Sequence, residues 1–116
     1  MQYLLMICQN EAEYAKRDAA SVAKTMEEYG TFTQSIIQSG NFKAGDRLQD
    51  THTATTVRVR DGKTLTTDGP FAETRKQLGG YLVEARDIDA AIAIAVRIPG
   101  ARTGSIEVRP ISVYDR

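Results

Sequence analysis

The sequence has few of the residues that build disulfides and metal sites. It contains one cysteine, one histidine and no tryptophan in 116 residues. An internal disulfide is therefore excluded, and Cys8 is predicted to be a small core residue of a protein kept in a reducing compartment. A zinc site needs three or four Cys, His or carboxylate ligands. Because Cys8 and His52 lie far apart, no metal is predicted.

Net charge and long apolar runs are missing as well. The 15 basic and 15 acidic residues cancel, and there is no basic run of the kind that binds nucleic acid or anionic membranes. No apolar run approaches the roughly 18 residues of a membrane span, and the N-terminus lacks the charged flank of a secretory signal. The sequence predicts one cytoplasmic domain over residues 1–116, with neither nucleic acid nor membrane as a partner.

Hydrophobic periodicity divides the chain into alternating strands and helices. Tyr3 to Cys8 is continuously apolar, as in a central strand. Asp18 is a suitable N-cap for a long first helix, and Asp87 or Asp89 for a second. Apolar residues at helical spacing predict two buried stripes, formed by Val22, Met26, Tyr29, Phe32, Ile36 and Ile37 and by Ile88, Ala91, Ile92, Ala95 and Val96. Further strands are predicted over residues 42–48, 53–60, 63–67, 81–85 and 105–113.

A hairpin is predicted around Asp61-Gly62, a pair that is typical of two-residue turns. The register that follows places Arg60 opposite Lys63 and Thr55 opposite Asp68. With this hairpin added, the order of strands and helices is that of an α+β protein with the ferredoxin-like βαββαβ plan.

One face of such a sheet lacks helices and needs a cover. The strands Tyr3 to Cys8 and Tyr81 to Val83 are apolar on both faces. The sequence therefore predicts a homodimer in which two sheets pack face to face.

The segment between the hairpin and the strand from Tyr81 has an unusual composition. Gly69-Pro70 ends a strand, and Thr74 and Gln77 have the spacing of a capping box. This pattern predicts a short helix within residues 71–78 that Gly79-Gly80 ends.

This segment also carries a family resemblance. Asp68-Gly69-Pro70-Phe71, Glu73-Thr74 and Gln77 to Tyr81 resemble the signature of the DGPF group of YCII-related proteins, and the resemblance covers essentially the whole chain. It implies a ferredoxin-like α+β fold in a dimeric α/β-barrel-like assembly. Better-studied relatives place a histidine on the first helix and an aspartate near its end, where this chain has Tyr29 and Gln38. That dyad is therefore expected to be absent here.

The catalytic hypothesis rests on His52 and Asp68. Thr55 opposite Asp68 leaves His52 three residues from the contact, within reach for an imidazole base oriented by a carboxylate. In the alternative, His52 is a solvated loop residue and Asp68 fixes the turn at Gly69-Pro70 by accepting backbone N–H groups.

The ligand hypothesis adds Arg58, Phe71 and Tyr81. Arg58 and Arg60 project from one hairpin face and could hold a carboxylate or phosphate, whereas exposed hairpin arginines are also ordinary surface residues. Phe71 and Tyr81 could line an apolar pocket or serve as core or interface residues.

Two functions follow from these patterns. The first is a dimer with a pocket for a small organic ligand near Asp68 to Phe71, with a cofactor-independent lyase, isomerase or hydrolase step. The second is a non-catalytic regulatory or interaction protein, which the occurrence of family members beside sigma factors implies. In a third interpretation, the signature only holds the fold together.

Overall fold

The computed structural model describes residues 1–69 and 76–114, apart from the side chains of Glu11 and Lys76. A four-stranded antiparallel sheet forms the body, and a separate two-stranded sheet extends from it. In chain order the strands and helices are β1 (Gln2–Gln9), α1 (Glu11–Ala15), α2 (Ala19–Gln38), β2 (Phe42–Arg47), β3 (Thr55–Arg60), β4 (Lys63–Asp68), β5 (Lys76–Glu84), α3 (Ile88–Ala95) and β6 (Ser105–Pro110). Short 3₁₀ turns occupy Thr51–Thr53 and Pro99–Arg102.

The strand order of the large sheet is β2-β5-β1-β6. The protein is thus α+β, and this order is compatible with the predicted ferredoxin-like plan. Successive side chains of β1 point to opposite faces of the sheet. Tyr3, Leu5 and Ile7 are buried in a core with Phe32 and Ile36 of α2.

Both long helices begin where their caps predict. Asp18 accepts a hydrogen bond from the backbone N–H of Ser21 at 2.7 Å, and Asp87 accepts one from Ala90 at 2.8 Å. The long first helix that the sequence predicts is confirmed as α2, with Gly30 in its interior. Sequence reasoning missed α1, where Asn10 serves as the N-cap.

The stripe predicted for α3 is buried only in part. Its members Ala91 and Ala95 are buried together with Ile94, whereas Ile88, Ile92 and Val96 are exposed. Both stripes of this helix are apolar, and the alanine-rich one lies against the sheet because small side chains allow close packing.

The hairpin prediction was confirmed residue by residue. Asp61 and Gly62 have φ angles of 53° and 74°, as a two-residue hairpin turn requires. Arg60 pairs with Lys63, and Thr55 pairs with Asp68. The side chains of β3 and β4 are exposed with the exception of the half-buried Thr56.

The short helix predicted within residues 71–78 was wrong over its last part. Strand β5 begins at Lys76, so Gln77 is in a strand, and Gly79 and Gly80 pair with β1 instead of ending a helix. Pro70, Phe71 and the rest of the predicted helix lie outside the described residues.

Candidate functional site

A cavity of about 330 Å³ lies between α2 and the part of the sheet formed by β2, β5 and the end of β1. This volume is at the lower end of the range of small-molecule sites, about 300–1,000 Å³. Sixteen residues line the cavity: Ile7, Gln9, Tyr14, Arg17, Thr25, Met26, Tyr29, Gly30, Thr33, Phe42, Gly45, Asp46, Arg47, Leu78, Gly79 and Tyr81.

The side of the cavity next to the sheet is built around Tyr81. Its ring contacts Phe32 edge to face, with the ring centroids 5.2 Å apart, and lies 6.5 Å from the ring of Phe42. Gly45 lies against the same ring, because a Cβ atom there would be 2.6 Å from Cδ1 of Tyr81. Residue 45 therefore has to lack a side chain for Tyr81 to keep this position.

Two tyrosine hydroxyls of the cavity lining are hydrogen-bonded. The Tyr81 hydroxyl and Oγ1 of Thr33 are 2.8 Å apart. The Tyr29 hydroxyl accepts a hydrogen bond from the backbone N–H of Gly100 at 3.1 Å. Burial is the main cause that raises the pKa of Tyr29. This phenol is therefore protonated at neutral pH and can act as a hydrogen-bond donor.

Two arginines of the cavity lining, Arg17 after α1 and Arg47 at the end of β2, meet at Tyr14. The Arg17 guanidinium stacks on the Tyr14 ring, with Cζ 3.9 Å from the ring centroid. Nη2 of Arg47 donates to the Tyr14 hydroxyl at 3.3 Å. Nη1 of Arg17 donates to Oγ1 of Thr25 at 3.4 Å, and Nη1 of Arg47 lies 3.6 Å from the sulfur of Met26. All of these contacts are to uncharged groups.

Among the residues predicted to bind a ligand, Tyr81 lines this cavity. Arg58 is exposed on β3 and lies outside the cavity lining. Phe71 falls outside the described residues. Leu78 and Gly79, which belong to the signature as Tyr81 does, also line the cavity.

The predicted catalytic residues lie elsewhere. Asp68 ends β4 opposite Thr55, and the next backbone N–H, that of Gly69, donates to the carbonyl oxygen of Ala54 at 2.6 Å. His52 is exposed in the 3₁₀ turn and lines a shallow depression with Arg47. Neither Asp68 nor His52 lines the cavity, and the acid–base role of the pair stays a prediction.

Sequence reasoning missed most of the cavity residues because they come from four distant segments. The one usable signal was the spacing of Thr25, Tyr29 and Thr33, which places two hydroxyls and a phenol on one face of α2.

Within the described part of the chain, no group of three or more His, Cys, Asp or Glu side chains is placed to hold a metal ion. No helix there is long and apolar enough to cross a membrane.

The fold and the cavity define an α+β protein whose antiparallel sheet and long helix enclose a small-molecule-sized space. The chain belongs to the YCII-related domain family, whose family model matches residues 1–115. It is also similar to an uncharacterized protein of Rhizobium meliloti (strain 1021), with 32% identity over 117 residues that cover 98% of this chain and 94% of the relative.

Proposed function

We propose that this YCII-related protein binds a small organic molecule in the cavity between α2 and the sheet. The observation that carries the proposal is the cavity itself, about 330 Å³ in volume, whose lining combines aromatic rings with hydrogen-bonding side chains. Small-molecule sites combine apolar walls with a few placed polar groups in this way.

The cavity is held open by packing inside the chain. Tyr81 is buried, its ring contacts Phe32, and its hydroxyl is hydrogen-bonded to Thr33. A binding site built on such fixed side chains orders few groups when the ligand arrives, which lowers the entropic cost of binding.

A fragment screen followed by amide chemical-shift mapping tests this function. We expect binders whose shifts concentrate on Tyr29, Thr33, Gly45 and Leu78. Shifts that concentrate on His52 and Asp68 would instead place the ligand site where the sequence predicts it. Shifts confined to the hairpin, or no binders in the library, would contradict the proposal and favour an interaction protein.

We propose further that the protein is a homodimer built on the helix-free face of the sheet. Leu4, Met6 and Leu82 lie on this face and are only half-buried, since their neighbours Tyr3, Leu5 and Val83 point into the core. A second sheet would complete their burial, which favours association by the apolar area removed from water.

The hairpin supports the same arrangement. Val57, Val59 and Leu65 are 59%, 60% and 45% exposed, and an isolated two-stranded hairpin is only marginally stable in water. The radius of gyration is 16.3 Å, compared with about 13 Å for a compact chain of this length. A partner that packs on the hairpin would supply the missing contacts.

A further inference from the structure

Arg17 and Arg47 place two guanidinium groups in the cavity lining. In the described part of the chain neither forms an ion pair, although Asp46 also lines the cavity. Their hydrogen bonds go to Thr25, Tyr14 and Met26, all uncharged. Each guanidinium has five N–H donors, and most of these remain available to a ligand.

One of these donors is buried. Nε of Arg17 is inaccessible to solvent and has no hydrogen-bond partner in the described structure. A buried donor without an acceptor costs free energy. Because solvent does not reach Nε, this donor becomes available to a ligand oxygen only when the Arg17 side chain moves.

The contact of Arg17 with Tyr14 restricts the movement of its side chain. Cζ lies over the ring, and a guanidinium restricted in this way has a planar fork that can bind a carboxylate through two hydrogen bonds. Arg47 contacts the hydroxyl of the same tyrosine. Tyr14 therefore brings two cations to one place and leaves their remaining donors unoccupied.

We propose that the cavity recognises a small organic carboxylate, an inference that rests on the proposed ligand-binding function. Its carboxylate accepts hydrogen bonds from Arg17 and Arg47, and its apolar body lies against Phe42 and Tyr81. The protonated Tyr29 hydroxyl supplies a further donor. The planar forks of the two guanidiniums match the planar pair of oxygens of a carboxylate.

Benzoate and benzamide form a matched pair of probes, since they share a shape and differ in charge. Phenyl phosphate tests the alternative anion. We would measure the affinity of all three by NMR titration or calorimetry for the wild type, Arg17→Gln, Arg17→Lys, Arg47→Gln and the control Arg60→Gln. Arg60 is exposed on the hairpin and donates to the carbonyl oxygen of Val59, so its substitution removes one charge outside the cavity lining.

We expect benzoate to bind at least about tenfold more tightly than benzamide, because charged hydrogen bonds contribute more than neutral ones. The preference should disappear in Arg17→Gln and Arg47→Gln and persist in Arg60→Gln. Arg17→Lys should also lose most of it, since lysine keeps the charge and removes the Nε–H. The Arg17 Nε–H signal should shift when benzoate is added to the wild type.

Equal affinities for benzoate and benzamide, or a benzoate preference that survives both glutamine variants, would overturn the proposal. Tighter, arginine-dependent binding of phenyl phosphate would overturn the choice of carboxylate. If Arg60→Gln were the only variant to lose the preference for benzoate over benzamide, the anion site would lie on the hairpin. If the fragment screen finds only neutral binders in the cavity, the carboxylate inference fails and the ligand-binding function stands. If the screen finds no binder at all, both fail.

Discussion

The guanidinium of Arg17 lies on the ring of Tyr14, with Cζ 3.9 Å from the ring centroid. Cation–π contacts at exposed sites are worth about 0.5–1 kcal/mol, which offsets part of the entropy lost when a long side chain is held in one orientation. Because Arg47 donates to the hydroxyl of the same residue, Tyr14 helps to position both arginines.

Substitution of Tyr14 should therefore weaken carboxylate binding, and Tyr14→Phe should weaken it less than Tyr14→Leu. Tyr14→Phe keeps the ring under Arg17 and removes the acceptor for Arg47, so we expect a loss of about twofold in benzoate affinity. Tyr14→Leu removes both contacts and should cost about fivefold. Calorimetric titration of the two variants measures this difference. Unchanged affinity in Tyr14→Leu would show that the stack has no positioning role.

The hydrogen bond between Thr33 and Tyr81 should make the effects of substituting these two residues on the free energy of unfolding non-additive. Tyr81→Phe and Thr33→Val each remove one hydroxyl of a pair 2.8 Å apart, and each should lower the free energy of unfolding by about 1 kcal/mol. The double variant should cost clearly less than the two losses added together, because the second substitution removes a group that already lacks its partner. Urea unfolding of the four proteins tests this, and simple additivity would mean that the two hydroxyls act independently.

Asp87 should make the stability of α3 depend on pH. The backbone N–H of Ala90 donates to its carboxylate and holds the pKa of Asp87 below its ordinary value of 3.8. The unfolded chain then binds the proton more readily, so the stabilisation is fully present above pH 3.8 and is lost as the pH falls through the lower folded-state pKa.

Melting temperatures at pH 7 and pH 2.5 check this expectation. Asp87→Asn keeps a side-chain acceptor and loses the charge, so it should melt below the wild type at pH 7 and close to it at pH 2.5. Asp61→Asn serves as the control, since asparagine suits the positive φ of this turn position. A gap between wild type and Asp87→Asn that stays constant with pH would contradict the assignment.

The proposed dimer makes a clear prediction for Leu82. This residue pairs with Leu4 on the helix-free face of the sheet, and Leu82→Lys would place a charge in the proposed interface. We expect the variant to elute as a monomer in light scattering coupled to gel filtration. Ile92→Lys is the matched control because Ile92 is exposed on α3. A wild-type monomer, or a Leu82→Lys dimer, would contradict the face-to-face arrangement.

The parts of the fold that sequence could predict are those that local chemistry decides. Asp61-Gly62 determined the register of a whole hairpin, and Asp18 and Asp87 located two helix starts. The buried side of α3 could not be predicted, because both of its stripes are apolar and only the sheet selects between them. Helix α1, with five residues, is too short for periodicity to reveal.

The candidate site was harder to predict, because its residues become neighbours only in the fold. Arg17 follows α1, Tyr29 lies on α2, Arg47 ends β2 and Tyr81 lies on β5. The signature drew attention to Asp68, whose carboxylate lies outside the cavity lining. Composition nevertheless excluded a disulfide correctly, since a single cysteine cannot form one within the chain.

The central claim is that the cavity between α2 and the sheet is the ligand site, and a thermal-shift comparison of the best binder on four proteins tests it most directly. A Cβ at Gly30 would meet no atom within 4 Å, so Gly30→Leu adds volume at the cavity wall, while Gly30→Ala supplies the same helix stabilisation with little volume. We expect the ligand to raise the melting temperature of the wild type, Gly30→Ala and Asp68→Asn but not of Gly30→Leu. A shift that survives Gly30→Leu and disappears in Asp68→Asn would contradict the account and place the site at the signature.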